Sequence, residues 1–245
     1  MRMNGCQTLP TLLDREVVDK RYSNTVAREK EKGSGARALG GVTALVYIFL
    51  YAPIVVLVAL SFNSSRFSTI WQGFTLRWYA LAWADSDLIS SLRTSLIVAA
   101  LTALLSTALG TATAVALVRY RVRLKSAVES LILLPVILPE IIIGFAAAGF
   151  FGLLGWGFGL GTVVAAHVAF SISYVVLIVR ARLSGFDRSL EDAAMDLGAT
   201  PWQTFRRVTL PIILPAILSS GLLVFTISLD DYVITSFVAG PGAAT

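Results

Sequence analysis

Five apolar runs divide this sequence, and each is long enough to cross the hydrocarbon core of a membrane. A core of about 30 Å requires about 20 helical residues. Because lipid cannot satisfy the hydrogen bonds of exposed backbone groups, each run is predicted to form a helix. The sequence therefore predicts an all-α protein that crosses the membrane several times, with a transmembrane domain over 41–245. The predicted spans are approximately 41–62, 95–118, 127–153, 159–179 and 211–238.

The composition agrees with a membrane protein. Hydrophobic residues make up 56% of the 245 residues and charged residues 14%, whereas about a quarter of a soluble domain is charged. Cys6 is the single cysteine, so no disulfide can form within the chain. His167 is the single histidine and lies in an apolar run without a second His or Cys nearby. We therefore expect no metal site, and we expect His167 to be buried or to face the helix bundle.

Positive charges are distributed unevenly around the spans. The chain has 20 Lys and Arg residues, and the tail over 1–40 is rich in them. If this tail is cytoplasmic, all of these cations except Arg66, Arg77 and Arg93 lie on the cytoplasmic side. The positive-inside rule therefore predicts a cytoplasmic N-terminus and a cytoplasmic loop over 184–210. The net charge of +5 reflects membrane topology and does not indicate nucleic-acid binding.

The loop before the last apolar run is predicted to form two short helices. Ser189 is a candidate N-cap for a first helix, and Glu191 in its first turn complements the exposed N–H groups. Gly198 is predicted to end this helix in a left-handed conformation. Thr200 is a candidate cap for a second helix over 202–208. The spacing therefore predicts a rigid two-helix projection.

One face of this projection is apolar. Ala193, Ala194 and Leu197 share a face of the first helix by their spacing. An apolar stripe facing water is unfavourable, so we expect another surface to cover it. A second protein is one candidate, and the alternative is that the projection packs back onto its own bundle.

Two further patterns concern the packing of the spans. Small residues over 110–114 are suited to close helix contact. Pro135 and Pro139 in the third span remove backbone donors and are expected to bend it.

The loop resembles the EAA loop of ABC-importer permeases. That pattern has E-A-A, three residues, a glycine and a later I-x-L-P. Two departures are mild, because Asp192 stands in place of alanine and Val208 in place of isoleucine. Further stretches are similar to the permease subunits of spermidine/putrescine importers: FNSSRF at 62–67, WQGFT at 71–75, ALVRYRVR at 116–123, SGFDRSLEDAAMDLGA at 184–199 and SLDDYVITSFVAGPG at 228–242.

The resemblance implies a bundle like that of type I ABC-importer permeases, in the inner (plasma) membrane of a bacterium. It implies three kinds of partner: two copies of a cytoplasmic ATPase, a second permease and a periplasmic or extracellular substrate-binding protein. This chain contains no glycine-rich phosphate loop, so we expect no catalytic residues and no cofactor of its own, with ATP used by the partner ATPase. The residues that the resemblance assigns to ATPase coupling are Glu191, Asp192, Ala193, Ala194, Leu197, Gly198, Leu210 and Pro211.

Three acidic residues fall within the predicted spans, where an unpaired charge costs several kcal/mol. Glu140 lies in the third span, and Asp230 and Asp231 lie near the end of the fifth. Carboxylates are natural partners of ammonium groups, and Tyr232 can add cation–π attraction, so these four residues form a candidate path for a polyamine. Adjacent helical residues point about 100° apart, so Asp230 and Asp231 face one cavity only if the helix breaks. The structural alternative is that this pair lies at the outer interface or caps a broken helix.

The match is incomplete at the C-terminus, because permeases of this family have six spans and this sequence provides five. One alternative function is therefore a truncated permease that does not transport and has a role in assembly. Another is the same machinery acting on a different solute, such as a metal ion or a phosphonate.

Overall fold

A computed structural model describes residues 39–66, 70–120 and 125–240. The tail predicted over 1–40 lies outside these ranges except for its last two residues, and Cys6 lies outside them as well. Every regular element within the described residues is a helix, which confirms the predicted all-α class. The chain separates after Leu81 into two compact units.

The first unit contains a long apolar helix and a tight turn. Helix α1 covers Leu39–Leu60, and α2 (Arg77–Ala84) begins at the end of the unit. Between them, the fully buried Asn63 organises the turn. Its side-chain oxygen accepts a hydrogen bond from the N–H of Gln72 at 2.9 Å, and its amide donates to the carbonyl of Ile70 at 2.7 Å. The indole of Trp78 donates to the Asn63 carbonyl at 2.9 Å. The segment after α1 is thus a folded turn followed by a short helix.

Three long helices form the core of the second unit: α3 (Ser86–Arg119), α6 (Leu160–Ser184) and α9 (Leu210–Asp230). Glycines allow them to approach closely. A Cβ at Gly110 would lie 2.6 Å from the Cβ of Val175, and one at Gly221 would lie 3.0 Å from the Thr107 hydroxyl. Val175 and Val224 are fully buried at these contacts. The small-residue stretch over 110–114 therefore lies at a close helix contact, as its composition predicts.

The third predicted span is two helices. Helix α4 (Lys125–Ile137) and helix α5 (Glu140–Leu153) meet at an angle of 116°. Pro139 is the second residue of the break, and a proline disfavours helical geometry in the residue before it, here Leu138. The predicted bend is therefore present, but it is sharp enough to divide the run over 127–153.

The fifth predicted span is also interrupted. Helix α9 ends at Asp230, and α10 (Val233–Val238) begins three residues later. Helix α10 packs against α5, where a Cβ at Gly144 would lie 2.8 Å from the ring of Phe237. Among the described residues, four helices are long and apolar enough to cross a membrane, or five when α4 and α5 count as one broken span.

The contact between α3 and α6 leads to a prediction about stability. Replacing Gly110 with Ala places a methyl group against Val175 and should lower the free energy of unfolding by about 1–3 kcal/mol, the usual cost of overpacking. The matched control is Gly149→Ala in α5, because no atom of the described residues lies within 4 Å of a Cβ there. Thermal unfolding of the purified protein in detergent measures the difference. The G110A and V175A substitutions combined should recover most of the loss, and equal stability of G110A and G149A would contradict the packing argument.

Candidate functional site

The predicted projection begins with a short capped helix. Helix α7 covers Ser189–Asp196. The predicted cap at Ser189 is wrong, because Ser189 lies inside the helix and Asp187 accepts a hydrogen bond from its N–H at 2.9 Å. This hydrogen bond holds the pKa of the Asp187 carboxyl below its usual value. Gly198 has a φ of +88°, which confirms the predicted left-handed end of the helix.

The second half of the projection is continuous with the last long helix. Thr200 and Gln203 form the predicted cap reciprocally, with N···O distances of 3.3 and 2.9 Å. After α8 (Pro201–Thr204), a π-helical turn over Phe205–Thr209 leads into α9 without a break. Because Pro211 has no N–H and its ring crowds the carbonyl four residues earlier, the turn before it widens. The separate helix predicted over 202–208 is therefore the beginning of a 30-residue helix.

The outer face of the projection is open. Leu197 is 90% exposed, and Asp192 and Ala193 are exposed beside it. A groove of about 380 Å³ follows the junction of the two helices. Its lining residues are Ala194, Leu197, Gly198, Ala199, Gln203, Thr204, Arg207 and Val208. This groove can accept an apolar side chain or a helix end from another molecule.

The inner face of the projection is fixed to two long helices through Glu191. The Glu191 carboxylate accepts hydrogen bonds from Arg119 at the end of α3 and from the hydroxyl of Thr209 before α9. Arg119 also donates to Thr209 at 2.9 Å and lies 5.6 Å from the centre of the Phe205 ring. Thr209 is fully buried, and the side chains of Arg119 and Glu191 are 26% and 15% exposed. We call this arrangement of Arg119, Glu191 and Thr209 the inner junction.

Sequence reasoning missed Arg119 and Thr209 as site residues. The remaining two predicted coupling residues, Leu210 and Pro211, lie in the first turn of α9 and do not line the groove. Leu210 packs against the core formed by α3, α6 and α9. The predicted coupling residues thus divide into an exposed set and a set that anchors the projection.

A second polar site lies at the other end of α9, about 30 Å away for 21 helical residues. Because the helix breaks after Asp230, Asp230, Asp231 and Tyr232 all line one cavity of about 70 Å³. The Asp231 side chain is 3% exposed. One of its oxygens, Oδ1, accepts a hydrogen bond from the N–H of Ile234 at 2.9 Å and caps α10, whereas Oδ2 has no hydrogen-bond partner among the described residues.

Glu140 does not join this cavity. It is exposed in the first turn of α5, where a carboxylate complements the free N–H groups of the helix. The structure therefore brings together three of the four predicted path residues.

His167 lies beside this cavity and is 2% exposed, so the prediction of a buried histidine is confirmed. Its Nδ1 lies 2.8 Å from the hydroxyl of Ser228, and its Nε2 lies 3.0 Å from that of Thr235. Its Nε2 also lies 3.6 Å from Oδ2 of Asp231. Within the described ranges, no three His, Cys, Asp or Glu residues group closely enough to hold a metal ion.

Comparisons with known proteins agree with this arrangement. The profile of the family described as binding-protein-dependent transport system inner membrane component matches residues 106–245. The putrescine transport system permease protein PotI of Escherichia coli K12 is 45% identical over 211 residues, which cover 83% of this chain and 75% of PotI. The spermidine/putrescine transport system permease protein PotC is 40% identical in E. coli K12, over 82% of this chain and 76% of that protein. PotC of Haemophilus influenzae is also 40% identical, over 80% and 76%.

A solved structure has the same fold. A crystal structure of a bacterial ABC transporter involved in the import of the acidic polysaccharide alginate matches with a TM-score of 0.69 and 15% identity, over 90% of this chain and 82% of that chain. The family profile covers more than half of this chain, and the relatives align over most of its length. The chain therefore belongs to the family of inner-membrane components of binding-protein-dependent transport systems.

Proposed function

We propose that this chain is the permease subunit of an ATP-driven importer of polyamines, with putrescine and spermidine as its substrates. The observation that carries the proposal is the 45% identity to a putrescine permease over 83% of the chain, together with a buried carboxylate beside a cavity. Putrescine and spermidine are small polycations at neutral pH. A carboxylate oxygen without a partner is the acceptor that an ammonium group requires.

In this proposal, Asp231 binds an ammonium group through Oδ2, and Asp230 and Tyr232 line the same cavity. Tyr232 is 74% exposed, so its ring is accessible for cation–π contact. Glu140, exposed on α5, is a further acidic residue along the path. The substrate is delivered by an external binding protein and passes between this permease and a second one.

ATP is bound and hydrolysed by two copies of a cytoplasmic ATPase, and this chain has no catalytic role. The ATPase contacts the exposed face of the projection at Asp192, Ala193 and Leu197 and along the adjoining groove. The N-terminus and the projection are cytoplasmic, in agreement with the distribution of Lys and Arg.

The inner junction transmits the motion of the ATPase. Glu191 belongs to α7, whereas its partners Arg119 and Thr209 belong to α3 and to the turn before α9. A displacement of α7 therefore moves two core helices together. Rigid-body movement of helices around a binding site is an established route to alternating access.

The substrate site is tested by Asp231→Asn. Asparagine keeps an oxygen that can cap α10 but removes the charge, so the KM for putrescine uptake should rise at least about tenfold. Uptake of radiolabelled putrescine is measured in cells that lack other polyamine importers and co-express the partner subunits. Asp187→Asn, in the loop before α7 and outside the spans, keeps an acceptor for the Ser189 N–H and is the control, which should behave like the wild type. Unchanged kinetics in D231N, with normal copurification of the ATPase, would refute the contact. Uptake of another labelled solute in place of putrescine would identify a different substrate.

The docking face is tested at Leu197. Leu197→Glu places a charge where an apolar contact is proposed, so retention of the ATPase during purification of the complex should fall about tenfold or more. Leu197→Met keeps the apolar volume and should retain the ATPase. Because Leu197 is 90% exposed, neither change should affect the thermal stability of the isolated permease. Wild-type retention by L197E would exclude this face as the docking surface.

The inner junction is tested by reversing its charges. Arg119→Glu and Glu191→Arg should each lower the amount of putrescine imported per ATP hydrolysed in proteoliposomes, and the double reversal should recover it. The matched control is the pair formed by Arg180 and Glu129, which is 2.8 Å apart and more exposed. Arg180→Glu should have a smaller effect than Arg119→Glu, because this half-buried pair is more exposed than the inner junction and surface ion pairs contribute at most about 1 kcal/mol. Equal loss in R119E and R180E, or no recovery in the double variant, would contradict transmission through this pair.

A further inference from the structure

His167 connects both sides of the break between α9 and α10 to α6. Ser228 belongs to the last turn of α9, and Thr235 belongs to α10. Both hydroxyls lie within hydrogen-bond distance of the same imidazole, on opposite ring nitrogens. All three side chains are at least 94% buried. Hydrogen bonds in such surroundings have little competition from water, so they hold the imidazole in place.

The direction of each hydrogen bond follows from Thr235. Its hydroxyl donates its single hydrogen to the carbonyl of Asp231 at 3.1 Å. With that hydrogen on the carbonyl, the Thr235 oxygen accepts from His167, and we assign the imidazole proton to Nε2 on this basis. In a neutral imidazole, Nδ1 then accepts from the hydroxyl of Ser228.

This arrangement determines which hydrogen-bond donors reach the two carboxylate oxygens of Asp231. Its Oδ1 is occupied by the N–H of Ile234. Its Oδ2 is buried and lies 3.6 Å from Nε2 of His167, beyond hydrogen-bond distance. The Nε2 donor is thus directed to Thr235, although it lies only 3.6 Å from Oδ2.

We propose that Thr235 keeps the Nε2 proton of His167 away from Asp231, so that Oδ2 remains a free acceptor for the ammonium group of the substrate. His167 and Thr235 are positioning residues in this proposal, which rests on the proposed substrate contact at Asp231. Asp230 and Tyr232 are the other ionisable residues that line the cavity. Among the described hydrogen bonds, neither donates to Oδ2.

The proposal is tested by a pair of substitutions at Thr235. Thr235→Val has nearly the same shape but no acceptor, so the Nε2–H of His167 should turn to Oδ2 and compete with the substrate. We expect the KM for putrescine to rise about tenfold with little change in the maximal rate, because the substrate must displace an intramolecular hydrogen bond. Thr235→Ser keeps the hydroxyl and should restore the wild-type KM.

A double variant separates this effect from loss of packing. Adding His167→Leu to Thr235→Val removes the competing donor while keeping an apolar side chain of similar size. The KM should then fall back toward that of the wild type. If Thr235 and His167 served packing alone, the double variant would be worse than T235V.

The single histidine allows a direct measurement that does not require transport. Nitrogen NMR of permease labelled with ¹⁵N-histidine and purified without a histidine tag should report a proton on Nε2 and an acceptor at Nδ1. In T235V, the Nε2 resonance should shift as its partner changes from a hydroxyl to a carboxylate. A proton on Nδ1 in the wild type would overturn the proposal.

The outcomes distinguish this inference from the proposed function. If D231N does not affect uptake, the substrate contact itself is wrong. If D231N weakens uptake but T235V and T235S both match the wild type, the contact stands and the positioning role of Thr235 is wrong.

Discussion

The inability of lipid to form hydrogen bonds governs this structure. A helix in the membrane satisfies its own backbone, so every interruption leaves groups that a side chain or a neighbouring helix must satisfy. The break after Asp230 meets this requirement through Asp231, which caps α10, and through Thr235, which donates to the Asp231 carbonyl. The sharp bend at Pro139 needs fewer compensating groups, because proline has no N–H. At the break after Asp230, polar side chains next to the interruption therefore satisfy the backbone groups that the helix no longer pairs.

Helix α9 joins the two candidate sites of this permease. Its first residues follow the inner junction, where Glu191 meets Arg119 and Thr209. Its last residue, Asp230, lies at the cavity. Between them, Ile213 and Val224 are fully buried against α3 and α6, so the helix is held along its length. A rigid helix with a polar cluster at each end is suited to carry a displacement between them.

Much of the fold was predictable, because length and apolarity decide which segments form membrane helices. Local signals were also informative: Gly198 ends α7, and Thr200 caps α8 as expected. The cap predicted at Ser189 was wrong, because Arg188 is the N-cap residue and makes no side-chain capping bond, while Asp187 before it accepts from the Ser189 N–H. The angle of 116° between α4 and α5 was beyond local reasoning, since it depends on how α5 packs against α10.

The candidate sites were less predictable than the helices. The exposed coupling residues and Asp231 carried recognisable patterns, and their roles remain predictions. The partners of Arg119 and His167 could not be predicted, because they lie far away in the chain: 72 positions separate Arg119 from Glu191, and 61 separate His167 from Ser228. Only the packing of α3, α6 and α9 brings these partners together.

The π-helical turn over Phe205–Thr209 affects the orientation of the projection. An additional residue in one turn rotates everything before it by about 100° relative to a regular helix. The orientation of Leu197 relative to α9 therefore depends on this single widened turn. Gain or loss of one residue there would rotate the projection and present its exposed face to a differently shaped partner surface.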